Sequence, residues 1–70
     1  MAVTTAVEVE VQDDGSMVAV AECDWTETLL DACALELLGQ VADETSTWDV
    51  YQAKHQDGQV RTYALEVARA

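Results

Sequence analysis

Val7, Val9 and Val11 alternate with Glu8, Glu10 and Gln12, the period-two pattern of a half-buried strand. Asp14-Gly15 follows and reads as a two-residue hairpin turn, because both central positions need positive φ. That turn would pair Val11 with Val18 and Val9 with Val20 on a core face. Glu10 would then oppose Ala19, and Glu8 would oppose Ala21, on the other face. A second alternating pair brackets Asp57-Gly58. Read the same way, it sets Val50 against Leu65, Trp48 against Val67 and Gln52 against Tyr63 on the core side. Tyr51 with Ala64 and Asp49 with Glu66 then face solvent.

Between the hairpins the period changes. Leu29, Leu30, Cys33, Ala34, Leu37 and Val41 fall on one side at 100° per residue, which predicts a helix from residue 25 to about 38. Asp24 is its expected N-cap, with Glu27 at the capping-box position, and Gly39 its expected C-cap. Leu35 and Leu38 fall on the outer side with the acids. The expectation is one α+β domain over residues 1–70, in the order ββαββ. A four-stranded, mostly antiparallel sheet carries one helix packed across one face. This element order resembles the protein G-like branch of the β-grasp fold, which implies that the first strand lies beside the last. The conjugating proteins of that fold end in Gly-Gly, whereas this chain ends Ala68-Arg69-Ala70.

Charge changes the picture more than composition does. Fourteen acids face three bases, a formal charge of −11. All the acids except Asp57 and Glu66 lie in the first 49 residues, where there is no Lys or Arg. Such a chain is a poor direct ligand for nucleic acid or an anionic membrane. Two acidic surfaces follow from the expected fold. Glu8, Glu10, Asp49 and Glu66 would form a stripe on the open sheet face, with Glu8 and Glu10 about 6.6 Å apart along the strand, the scale of phosphate spacing. Asp24, Glu27 and Asp31 would align on the helix as a ridge, with Asp13 and Asp14 at the first turn. Capping and the helix dipole account for Asp24 and Glu27 and leave Asp31 unexplained. Three bases cannot neutralise fourteen carboxylates, so the self-repulsion calls for a reason.

The residues needed for most chemistry are missing. One His and two Cys are too few for a structural zinc site, and no glycine-rich phosphate loop or G-x-S-x-G frame occurs. Asp13-Asp14-Gly15-Ser16 lacks EF-hand spacing. The expectation is no enzyme, no metal and no cofactor, with Cys23 and Cys33 as reduced, partly buried thiols. The N-terminus has no basic region followed by an apolar run, and no apolar run is long enough to span a bilayer. The reading is a cytoplasmic protein, within the host cell if phage-borne.

In size, charge and lack of catalytic residues the chain resembles small acidic phage-borne inhibitors of the DNA-mimic type, among them the anti-CRISPR proteins. The resemblance is one of profile and transfers no residue. It implies that carboxylates stand in for phosphates and block a basic surface, such as that of a CRISPR effector complex. The alternatives are a small halophile-adapted domain and an antitoxin-like regulatory partner of a basic protein. Exposed edges at the second and third strands leave a monomer or a strand-edge homodimer open.

Overall fold

Each hairpin closes through a three-residue loop, one residue longer than the Asp-Gly pairs suggest. In the computed structural model, which describes residues 4–69, Gln12 N–H donates to Ser16 O and Gly15 N–H to Gln12 O. His55 and Gln59, with Gly58, repeat this arrangement. Gly15 and Gly58 take φ values of 88° and 87°, the left-handed residue of this loop type. The N-terminal Met1-Ala2-Val3 and terminal Ala70, on which the leader and Gly-Gly arguments partly rest, lie outside the described residues.

The longer loops shift both registers by one residue. Strands β1 (Thr5–Val11) and β2 (Met17–Asp24) pair Val11 with Met17, Glu10 with Val18 and Val9 with Ala19. A bulge at Glu8/Val9 then restores Glu8 opposite Ala21. In the second hairpin Tyr51 pairs with Tyr63, Val50 with Ala64, Asp49 with Leu65 and Trp48 with Glu66. A one-residue slip exchanges the two faces of one strand relative to its partner. Tyr51 and Tyr63 therefore share a face, and Trp48 is on the other one, the reverse of the expected grouping for Tyr51 and Trp48.

The expected four-stranded sheet under a long helix does not form. Helix α1 is only Trp25–Asp31, and residues Ala32–Ala42 are a strand, β3, paired antiparallel with β4 (Ser46–His55). Strand β5 is Val60–Arg69, and the single sheet runs β2-β1-β5-β4-β3 with every neighbouring pair antiparallel. The first strand does lie beside the last, but antiparallel, so the β-grasp expectation gives way to a mostly-sheet domain. The reason is competition between local and distant bonding. Ala- and Leu-rich residues 32–38 favour helix locally, but tertiary pairing overrides propensity. As β3 they supply a ladder to the open edge of β4. Gly39, at φ 155°, sits at the Leu37/Gly39 bulge rather than at a helix end.

Helix α1 lies on one sheet face and is tied at both ends. Asp24 caps it, accepting from Thr26 N at 2.9 Å and Glu27 N at 3.4 Å, and Trp25 N–H donates to Thr4 O. At the far end Gln56 N–H donates to Asp31 O. Its first residue, Trp25, forms a small core with Ala6, Ala53 and Tyr63, and Cys23, Ala32, Tyr51 and Leu65 pack against it. The Trp25 ring lies tilted 5.4 Å from Tyr51 and edge-on 5.6 Å from Tyr63 between ring centroids. Aromatic pairs at such separations add stabilisation beyond their buried area.

Candidate functional site: two unlike sheet faces

Alternation along the strands assigns the acids to faces. Glu8 pairs with Tyr63, so Glu8 and Glu10 lie on the helix-bearing face. Asp49 pairs with Leu65 and shares that face. It is about 10 Å from Glu8 across two strand spacings and about 7 Å along them. Glu66 pairs with Trp48 and points to the opposite face, where it accepts a hydrogen bond from the Ser46 hydroxyl. The expected stripe of four carboxylates thus divides into three and one.

The remaining acids have mixed roles. Asp24 caps α1, while Glu27 is exposed on it. Asp14 accepts from the hydroxyl and the backbone N–H of Ser16, which hold its carboxyl below the ordinary value. Asp13 is exposed in the same turn. Asp43, in the turn between β3 and β4, is likewise held low. Its donors are the backbone N–H groups of Thr45 and Ser46, the Thr45 hydroxyl and then the Trp48 indole.

Asp31 has a specific partner that no local pattern suggested. Its Oδ2 lies 2.8 Å from Nδ1 of His55, and Nε2 of His55 lies 2.8 Å from the Tyr63 hydroxyl. His55 and Tyr63 are buried, at 4% and 3% exposure, whereas Asp31 is exposed. The order carboxylate, imidazole, hydroxyl matches a nucleophile-activating triad in outline. Burial, however, pushes the Tyr63 phenol above its ordinary value, with the neighbouring Arg61 opposing. A phenol whose ionisation burial disfavours is not a ready nucleophile. The relay fastens the end of α1 to β4 and β5.

The face without the helix carries an apolar groove. Val7 and Val9 of β1, Met17 and Ala19 of β2, Val41 of β3 and Trp48 of β4 line a space of about 360 Å³, with Asp43 at one end. Past Met17 and Val41 it continues into a second space of about 250 Å³ that reaches Val11 and Gly15. Val7, Val9 and Val11 were expected to be core under a helix. They are instead on the uncovered face, because the helix crosses the other one.

Cys23 is half-buried and donates weakly to Ala6 O, Cys33 is exposed, and the two are not bonded to each other. Among the described residues no group of three or more His, Cys, Asp or Glu is placed to hold a metal ion, and no helix is long and apolar enough to cross a membrane. No protein-family model, curated protein or solved structure matches the chain.

Proposed function

We propose that this protein is a non-enzymatic acidic binder that occupies a basic nucleic-acid-binding surface, as an inhibitor of the DNA-mimic type would. The observation that carries the reading is Glu8, Glu10 and Asp49 on one sheet face of a chain with a charge of −11. Asp57 pairs with Arg61 and Asp31 meets His55, but three Lys and Arg cannot pair with fourteen carboxylates, so internal pairing does not account for the acids. Carboxylates spaced along a strand can accept the Lys and Arg side chains that otherwise hold phosphates. Association of this kind is fast and weakens with salt. A CRISPR effector complex is the partner that the anti-CRISPR profile suggests.

The test is capture with competition. The immobilised protein is exposed to a lysate of a CRISPR-bearing bacterium, and bound proteins are challenged with duplex DNA and separately with salt. The expected result is a nucleic-acid-binding complex released by both. A partner that duplex DNA fails to displace would overturn the mimic reading and favour a regulatory docking protein.

A further inference from the structure

The acidic-mimic reading leaves the groove on the helix-free face unused. We propose that it docks a basic amphipathic segment of a protein partner. Apolar side chains of that segment seat between Met17, Val41 and Trp48, and its Lys or Arg side chains reach the carboxylates at the groove ends.

Charge selects this occupant. Asp43 lines one end, and Glu44 follows it in the same turn. The other end reaches Gly15, next to Asp13 and Asp14. Glu22 pairs with Val7 and so shares this face. Neither Lys54 nor Arg61 lines either part of the groove. A second copy of this chain would bring the same carboxylates against these and be repelled. Nucleic acid or an anionic lipid surface would be repelled as well. A neutral apolar ligand would leave the terminal carboxylates without counter-charges.

The apolar part supplies the anchor. Exposed Val11 and Val41 flank Met17, with Trp48 half-buried behind them. Interfaces draw most of their affinity from a few such desolvated contacts, while surrounding charges set specificity and approach. The groove is on the face opposite Glu8, Glu10 and Asp49, so this inference goes beyond the mimic reading and can fail separately from it.

The experiment titrates the full ¹⁵N-labelled chain with three synthetic peptides of equal length: an amphipathic Leu/Lys peptide, a Leu/Glu peptide of the same pattern, and oligolysine. The expected result is that Leu/Lys shifts the Met17 and Val41 amides and the Trp48 indole N–H. Oligolysine should bind at least about ten-fold more weakly, and Leu/Glu should not bind. Val41→Asp, at an exposed position, should cost about ten-fold for Leu/Lys with the spectrum otherwise preserved, while Glu27→Gln, exposed on α1 and outside the groove lining, should leave it unchanged. Equal affinity for oligolysine overturns the inference, as does no Leu/Lys binding. Shifts confined to Glu8, Glu10 and Asp49 overturn it and favour the mimic face. Groove shifts that depend on protein concentration without peptide overturn it in favour of a second copy.

Discussion

Nε2 of His55 and the hydroxyl of Tyr63 meet at 2.8 Å, with both side chains buried. In the tautomer that carries its proton on Nδ1, donated to Asp31, Nε2 accepts from Tyr63 O–H. Tyr63→Phe would leave that buried nitrogen without a donor and should cost about 1–3 kcal/mol. Asp31 is 59% exposed, so Asp31→Ala lets water replace the carboxylate and should cost about 0.5–1.5 kcal/mol. Urea denaturation of both variants checks the order. An equal or reversed ranking would show that the phenol-imidazole bond is not the more important link.

Asp24→Ala removes both cap acceptor bonds from a helix of only seven residues. The expected loss is about 1 kcal/mol. Because α1 is the only link from β2 to β3, the loss should be visible in a global denaturation curve and not only as local fraying. Asp24→Asn, which still accepts, should recover most of it.

Gly58 has open space where a Cβ would be added, but its φ is 87°. Gly58→Ala should therefore cost about 1–2 kcal/mol through backbone conformation alone. Thermal denaturation checks this, and Gly58→Asn should be milder, since Asn tolerates the left-handed region better than Ala.

The shifted carboxyls and phenol set the pH limits. Asp14 and Asp43 lie below the ordinary value of 3.8 in the fold, so their contribution is present above about pH 4. It is lost as pH falls through their folded values. Tyr63 lies above its ordinary value of 10.0, so its contribution is present below about pH 10 and is lost as pH rises through the folded value. Unfolding free energy measured against pH should fall at both ends. Asp14→Asn with Asp43→Asn should flatten the acid limb, and Tyr63→Phe the alkaline one.

Glu8→Lys with Glu10→Lys reverses two charges on the helix-bearing face. The double variant should keep its circular dichroism and bind the captured nucleic-acid-binding partner more weakly. The expected cost is about 1–3 kcal/mol for each desolvated pair lost. Unchanged affinity in a folded variant would move the interface off this face.

The alternation of Val7, Val9 and Val11 and the cap at Asp24 were legible in the sequence because each depends on near neighbours. Loop length was not, since Asp-Gly serves two- and three-residue turns alike, and that one residue decided which faces carry Tyr51 and Trp48. A three-residue loop would have put Tyr51, Ala53 and His55 on the face of Tyr63, the only local signal that pointed to the relay. Asp31 reaches His55 through tertiary folding alone. Residues 32–42 misled for the same reason, because their strand state depends on a partner, β4, that no local window contains.

The sheet order also has a mechanical consequence. β1 and β5 are central neighbours running antiparallel, so Thr5 and the end of β5 emerge at the same end of the sheet. A pull on these two points acts along the interstrand hydrogen bonds, which run perpendicular to the strands, and opens them one pair at a time. Traction would therefore unzip this domain through its middle at low force, separating the β1–β2 hairpin from β4 and β5 before either hairpin yields.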